Sequence, residues 1–554
     1  KFFRRMNEAF SSIFESTYMK TTKILLWAFT LAAMLQGCNL DREPADYIDY
    51  NASFNNMQDA AKWDNGIYST LRGKFGGGYV LPQEAQADML NAHAAFGNLY
   101  GEFHGWTILP ESSVIQEIYH SYYSALVDAN VVITKLPQLP VSAAEKPTQR
   151  HYLGNAYFAR AFYHFNLALR WGMIYDAATA DKDLGVVLAL EPGSLNKPAR
   201  ATNAQTYKQV LDDLNEAETL LADVPTSPGN TEINADAVRA LRARVYLYMG
   251  DMDKAYQEAK QLVDKNTYPL IAPYTAKLNS EGKVTPTEDA FAQMWFYDKG
   301  TEQIWQPYVA KENEVPTVTS LYGADLSTTT HWDEAKQPSK VGDYNKPPYV
   351  PTREVINDLF SNGNDHRAHI HFEFVNTTVN DVNVSTQLYV VSKFKGNPNY
   401  ATLTSTHWGG YVPNGNQAPK PFRIAEQYLI VAEAAYKLGN TADAQSYLNT
   451  LRQSRGLPAT SATGDDLFQE IKNERARELA YEGFRLWDLR RWKLGVRKRT
   501  IQGAKGYYQV PASFYAGGYK VDIQTGNKMF VWPFPDNEVQ INPNVKQNPG
   551  WDKQ

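Results

Sequence analysis

Apolar residues recur with a helical period along most of this chain. Stretch 57–72 places alanine, tryptophan, isoleucine, tyrosine and leucine side chains on one face of a helix, and 114–136 and 146–171 continue the same period. Helix–turn–helix patterns follow at 235–265 and 422–455. Strand-like alternation is confined to a few short runs. The pattern predicts a mostly α-helical protein with little β-structure.

The two helix–turn–helix segments share a spacing of small residues. The pattern Ala-x6-Gly-x4-Ala begins at Ala243 in the first segment and at Ala432 in the second, and this spacing is typical of tetratricopeptide repeats. Segments 146–171 and 205–221 form a third, looser pair. Because these pairs lie far apart in sequence, they must come together in space around long insertions.

We therefore predict a single domain over 56–554, with helical repeats mainly at 112–265 and 421–495 and an insertion at about 266–420. This insertion and the stretch 73–110 have no sustained helical or strand period. Both are rich in glycine, asparagine and aromatic residues. Long loops of this kind in a compact protein usually carry function.

The two loop regions have the composition of a sugar-binding site. Aromatic rings stack on the apolar face of a sugar, while amide and carboxylate groups bind its hydroxyls. The leading candidate is Trp332, because its threonine, histidine and aspartate neighbours are poorly explained by core packing. The other candidate ligand-binding residues are Tyr79, His93, Phe96, Tyr322, Asp88, Asn91 and Asn98. The alternative is a lid in which these rings pack on one another.

The beginning of the chain carries the features of an export signal. Two lysines precede an apolar run at 24–35, and Cys38 follows that run directly after a glycine. The run is too short to span a bilayer, and cleavage before a cysteine is typical of bacterial lipoproteins. We interpret 1–18 as an upstream translated segment, 19–37 as a signal peptide and 38–55 as a tether lipidated on Cys38. An ordinary secretory peptide with an incidental cysteine is the alternative.

Composition excludes several classes of function. The net charge of −5 gives no basic surface for nucleic acid, and the mean hydropathy of −0.48 excludes a polytopic membrane protein. Neither a phosphate-binding glycine loop nor a Ser/His/Asp order is present, and the histidines lack the spacing of metal ligands. We expect no cofactor, no metal and no catalytic residue.

One stretch, 473–492, combines many charges with large aromatic side chains. Glu474, Glu478 and Glu482 stand four residues apart, so on a helix they would share one face, with arginines within a turn of them. Charges under aromatic cover must be paired. The predicted structural charge network is Glu474, Arg475, Glu478, Glu482, Arg485, Asp488 and Arg491. The alternative is the carboxylate pair of a glycosidase. One carboxyl group of such a pair needs a raised pKa, and nearby arginines would lower it.

The same stretch resembles the C-terminal signature of the SusD/RagB family, the surface glycan-binding lipoproteins of Bacteroidetes-type bacteria. The signature, roughly E-R-x-x-E-L-x-x-E-G-x-R-x-x-D-L-x-R-W, falls on 474–492. Segment 156–167 resembles a second helical signature of the family, although His164 stands where an aromatic residue is usual. Segment 533–551 resembles the family's closing segment. The resemblance thus covers nearly the whole predicted mature chain.

This resemblance implies a SusD-like helical core and a non-catalytic function. It implies a surface-exposed outer-membrane lipoprotein that binds a glycan and delivers it to a SusC-like TonB-dependent transporter. It also implies that the motif charges are structural and that the insertions carry the ligand contacts. A peptide-binding lipoprotein of the same fold, as in the RagB branch, is the first alternative. A glycoside hydrolase is less favoured, and so is a plain repeat scaffold.

Overall fold

A computed structural model describes residues 53–92, 96–193, 197–273, 288–310, 314–315, 322, 347–379, 384–400, 415–502 and 521–551. Three of the predicted site residues, Cys38, His93 and Trp332, lie outside these described residues. Residues 55–554 form one compact unit.

The first half of the fold is a series of helices that closely follow the predicted periods. Their N-termini are capped by polar side chains: Ser112 accepts from the N–H of Ile115, and Thr202 and Gln205 form a reciprocal capping box. The helices are α1 Met57–Gly73, α2 Leu81–Gln86, α3 Gly101–His104, α4 Ser113–Lys135, α5 Lys146–Trp171, α6 Asn203–Leu220, α7 Ala235–Met249 and α8 Met252–Lys265.

The second half alternates helices with short strands. The helices are α9 Ala290–Phe296, α10 Ala368–His371, α11 Ile424–Lys437, α12 Thr441–Ser454, α13 Gly464–Glu478, α14 Arg485–Arg491 and α15 Asp536–Ile541. Antiparallel strand pairs join β1 Leu90–Ala92 to β3 Tyr349–Pro351, β2 Gln303–Trp305 to β6 Phe422–Arg423, and β4 Phe372–Val379 to β5 Val384–Val391. The mostly helical fold class is confirmed.

The distant repeats meet in space as predicted. Helix α11 packs against α8 and α12, and the turns inside the two repeats carry Gly250 and Gly439 at φ of 77° and 80°. That left-handed conformation favours glycine, which explains its recurrence in the repeat spacing. Across the repeats, the Arg244 guanidinium donates to both carboxylate oxygens of Glu426 at 2.8 and 2.6 Å.

The stretch 73–110 is less irregular than its sequence predicts, because it contains α2, β1 and α3. The buried guanidinium of Arg499 donates to the carbonyl oxygens of Ala87, His104 and Gln86 at 2.8, 2.5 and 2.6 Å. A single arginine from the C-terminal part of the chain therefore satisfies several main-chain acceptors of this stretch. Such contacts allow a loop backbone to be buried.

Candidate functional site

The charge network predicted at 473–492 is buried around Glu478. The Glu478 carboxylate has no solvent exposure and accepts hydrogen bonds from Arg367, Arg423 and Arg455 at 3.0, 2.5 and 3.0 Å. Burial alone would raise the pKa of Glu478, but the charges of Arg455, Arg423 and Arg367 outweigh it and hold that pKa well below its usual range. Glu478 is therefore fixed in its charged form.

The neighbouring glutamates are paired in the same way. Glu474 accepts from Arg367 at 2.6 Å and from Arg477 at 2.8 Å. Burial opposes its ionisation, but Arg367 and Arg477 lower the pKa of Glu474 to about 2. Glu482 accepts from Arg423 at 2.6 Å and from the Lys393 ammonium at 2.7 Å. The lowered pKa of Glu474 is the opposite of the raised pKa that a general acid needs.

The helix of the motif ends earlier than its spacing suggests. Helix α13 stops at Glu478, and Tyr481 adopts a left-handed φ of 64°, so Glu482 lies in the following turn. It does not share a helix face with Glu474 and Glu478, and it meets Glu478 through Arg423, which binds both. Helical spacing could not predict this link between Glu478 and Glu482, because the arginine that joins them, Arg423, lies on β6.

The remaining motif charges form a second set of pairs. Asp488 accepts from Arg475 at 2.7 Å and from Arg491 at 2.8 Å. Arg491 also donates to Glu433 on α11 at 2.7 Å. Arg475 thus pairs with Asp488 and not with Glu474 or Glu478, although it lies within a turn of both. Both sets of pairs hold secondary-structure elements together.

Three of the predicted ligand residues have partners inside the protein. The Tyr79 hydroxyl hydrogen-bonds with Ser121 Oγ at 2.6 Å, and the Lys74 ammonium lies 4.1 Å from its ring centroid. Asp88 accepts both hydrogen bonds of the Arg485 guanidinium, each at 2.7 Å. Asn91 lies on β1, is fully buried, and donates to the carbonyl oxygen of Thr500 at 3.1 Å.

Tyr322, which was predicted to face a ligand, lies in an apolar cluster. It is 1% exposed and stacks on Phe394 with a centroid distance of 5.4 Å, and the ring of Tyr481 is at the same distance. Local composition suggested an outward ring because it does not reveal these two distant partners. Tyr322 is a core residue.

Phe96 and Asn98 belong to a turn that reaches the surface. Asn98 is exposed and adopts a φ of 57°, while the half-buried Phe96 packs edge-on against Tyr349 at 5.9 Å. The Tyr349 hydroxyl donates to the carbonyl oxygen of Leu99 at 2.7 Å. Tyr349 of strand β3 therefore supports this turn, on which Asn98 is exposed.

Tyr308, whose side chain is 62% exposed in the insertion, is not among the residues predicted from the sequence. It lines a large pocket together with residues of α1, α5 and the segment 221–233. The sequence could have indicated Tyr308 as a candidate, because its segment, like that of Trp332, has no helical or strand period.

Across the described residues, no group of three or more His, Cys, Asp or Glu side chains could hold a metal ion. Within that same part of the chain, no helix is both long enough and apolar enough to cross a membrane.

The chain matches two family profiles. One is described as the SusD family and matches residues 371–551, the part that contains the charge network. The other is described as "Starch-binding associating with outer membrane" and matches residues 45–247. Together these two matches support a protein of the SusD/RagB family. SusD-like proteins are binding proteins, and the second description associates the family with the outer membrane.

Two proteins from Formosa agariphila are similar to this chain. SusD-like protein P38 is 25% identical over 417 residues, which are 70% of this chain and 74% of that protein. SusD-like protein P2 is 23% identical over 552 residues, which are 96% of this chain and 100% of that protein.

Solved structures share the SusD-like fold. A SusD superfamily protein from Bacteroides thetaiotaomicron has a TM-score of 0.67 at 23% identity, with 89% of this chain and 100% of that chain covered. A protein described as a laminarin-binding SusD-like protein has a TM-score of 0.60 at 20% identity, with 90% of this chain and 100% of that chain covered.

Proposed function

We propose that this protein is a non-catalytic lipoprotein of the cell surface that captures an oligosaccharide or polysaccharide. It then delivers this glycan to a SusC-like TonB-dependent transporter in the outer membrane. The observation that carries the proposal is the match of residues 45–247 to a family described as starch-binding and associated with the outer membrane. The laminarin-binding structural neighbour agrees with a glucan ligand.

The arginine-neutralised carboxylates support binding without turnover. Hydrolysis of a glycosidic bond needs one carboxyl group that is protonated near neutral pH. The arginines around Glu474 and Glu478 favour the charged form of both groups, and both are inaccessible to solvent. The motif is therefore a poor candidate for the two carboxylates of a glycosidase.

We assign the glycan contacts to the surface loops. Trp332 is the leading candidate for stacking, with His93, Phe96 and Asn98 contributed by the stretch before α3. The exposed Asn98 amide on its supported turn is suited to hydrogen-bond sugar hydroxyls. The lipid on Cys38 would keep this surface at the membrane beside the transporter.

The decisive experiment is calorimetry of the purified protein with starch- and laminarin-derived oligosaccharides and with a set of short peptides. We expect at least one glucan to bind, with no shorter sugars released on prolonged incubation. Trp332→Ala should weaken that binding. Binding of peptides without any glycan would select the peptide-binding alternative, and release of shorter sugars would select an enzyme.

A further inference from the structure

A pocket of about 640 Å³ lies between α1, the first half of α5, the segment 221–233 and the residues Pro307, Tyr308 and Glu314. Its volume is within the range of small-molecule sites, about 300–1,000 Å³. Its lining combines aromatic, amide and carboxylate side chains. None of the predicted ligand-binding residues that the structure describes lines it.

The floor of this pocket is built from polar side chains that are held in place. Asn155 Nδ2 donates to Asp64 Oδ1 at 2.9 Å, and the Tyr68 hydroxyl accepts from the backbone N–H of Ile233 at 2.9 Å. Asp64 is only 7% exposed and Asn155 only 4%. Asp64 lines the pocket, and among the described residues only its Oδ1 has a hydrogen-bond donor.

Tyrosine rings and an ordered rim enclose the space above the floor. Tyr68, Tyr152 and Tyr308 line it, and Tyr308 is the most exposed of the three. The Arg72 guanidinium donates to the carbonyl oxygen of Tyr308 at 2.5 Å and lies 3.4 Å from the Glu314 carboxylate. Helix α1 therefore fixes the position of the Tyr308 backbone.

The charges in the pocket do not cancel. Arg72 is paired with Glu314, and the His151 ring is 3.0 Å from Asp223. Asp64 and Glu232 have no cationic partner among the residues that the structure describes. Burial raises the pKa of Asp64 to about 7, the hydrogen bond from Asn155 opposes this rise, and the Glu232 charge adds to it. A cation bound beside Asp64 and Glu232 would relieve this unfavourable arrangement.

We propose that this pocket is a second ligand site, which takes a sugar unit carrying a free ammonium group, an amino sugar of the glucosamine type. The proposal rests on the proposed function only in taking the ligand to be a glycan. The ammonium would pair with Asp64 and Glu232, while Tyr308 and Tyr152 would cover the sugar ring. An N-acetylated unit offers a neutral amide in place of the ammonium and forfeits the charge interaction.

The test is calorimetry with three tetrasaccharides of equal length: a glucosamine oligomer, its N-acetylated form and a neutral gluco-oligosaccharide. At about pH 7 and low salt, wild type should bind the glucosamine oligomer at least about tenfold more tightly than the acetylated form, equivalent to ~1.4 kcal/mol. Asp64→Asn should remove this preference. Glu232→Gln, at an exposed position that does not endanger folding, should reduce it severalfold.

Matched variants separate this site from the one on the loops. Glu216→Gln removes an exposed carboxylate of α6 outside the pocket and should leave the preference for the amine unchanged. Trp332→Ala should weaken binding of the neutral glycan but keep the preference for the amine. Asp64→Asn should bind the neutral glycan as wild type does.

Three results would overturn the proposal. The first is equal affinity of wild type for the free and the acetylated amine. The second is a preference that survives in both Asp64→Asn and Glu232→Gln. The third is a lysine-containing peptide that binds more tightly than the amino sugar in an Asp64-dependent way, which would replace the sugar with a peptide amine. Failure of the proposed function gives a different result, because in that case the neutral glycan would not bind to the wild-type protein.

Discussion

Glu84 Oε1 accepts a hydrogen bond from the backbone N–H of Gly483 at 2.6 Å, although 399 residues separate the two in sequence. Gly483 has a φ of 88°, a conformation that side chains disfavour. A Cβ there would also lie 3.2 Å from Val80 Cγ1 and 3.3 Å from Gln83 Nε2. The glycine of the family signature therefore allows α2 to dock on the turn after α13.

The carboxyl group of Glu84 should make stability depend on pH. Burial raises the pKa of Glu84 from 4.5 to about 8, so the folded protein keeps it protonated where the unfolded chain ionises it. Stability should therefore fall as pH rises from about 4.5 to about 8. Glu84→Gln mimics the neutral acid, so its melting temperature should fall less than that of wild type between pH ~5 and ~8.

The measurement of Glu84→Gln should stop near pH 8. Burial lowers the pKa of Lys393 from 10.5 to about 8. Above that pH the unfolded state binds this proton more tightly than the folded state, so the Lys393 titration raises stability with pH and opposes the effect of Glu84. Glu111→Gln, at an exposed site, is the matched control and should follow wild type. Parallel pH profiles of wild type and Glu84→Gln would contradict the assignment of a neutral Glu84.

Removal of the Glu478 carboxylate should cost far more stability than removal of a surface charge. Glu478→Ala leaves three buried arginines without a shared acceptor, and breaking such a pair typically costs about 3–5 kcal/mol. Glu470→Ala on the same helix is the control, because Glu470 is 32% exposed and such pairs contribute about 1 kcal/mol or less. Denaturant unfolding would compare them, and equal losses would refute the role of Glu478.

The pair between Arg485 and Asp88 should have a smaller effect. The sequence predicts a cost of about 3–5 kcal/mol for Arg485→Ala, similar to that for Glu478→Ala. In the structure both side chains keep roughly a fifth of their exposure, so water can partly solvate Asp88 when its partner is lost. Denaturant unfolding should therefore place Arg485→Ala between Glu470→Ala and Glu478→Ala. A loss as large as that of Glu478→Ala would restore the first expectation.

Glu474 should make the protein sensitive to acid. Arginines hold its pKa at about 2, against burial, so the folded state binds its proton less tightly than the unfolded state, where the pKa is 4.5. Its contribution to stability is complete above about pH 4.5 and is lost as pH falls to about 2. In Glu474→Gln, which cannot ionise, circular dichroism should show a lower initial stability and a shallower decline with acid. An equally steep decline would assign the effect to other carboxylates.

Trp332 and Tyr322 should respond oppositely to truncation. Trp332→Ala should cost at least ~2 kcal/mol of glycan affinity, as a stacked ring at a hot spot does, with little change in melting temperature. Tyr322→Ala should lower the melting temperature because its ring is buried between Phe394 and Tyr481. Calorimetry and thermal melts of the two variants give the comparison. Unchanged affinity in Trp332→Ala would remove that residue from the site.

Cys38 should be required for attachment to the membrane. Cys38→Ala should leave the melting temperature of the folded domain unchanged and release the protein from the membrane fraction, because the lipid cannot be attached. Fractionation in cells that lack the partner transporter avoids retention through that protein. Continued retention of the alanine variant in such cells would refute the lipid anchor.

The helices could be predicted because their signals are local. Helix α5 begins and ends where its apolar period does, and the glycine turns of the repeats are visible as spacing. The surroundings of Asp88, Asn91 and Tyr322 could not be predicted, because their partners Arg485, Thr500 and Phe394 are distant in sequence. Nothing within a local window distinguishes a loop residue held by such a partner from one that faces solvent.

The arginines around Glu478 have a consequence for how this scaffold can change. Arg367 and Arg423 bracket the β4–β5 hairpin and the segment that follows it, and Lys393 between them reaches Glu482. These ion pairs attach this part of the chain to the helical core at Arg367, Lys393 and Arg423. Selection, or a designed library, can therefore change the exposed positions between these points while the ion pairs keep this part of the chain on the repeats.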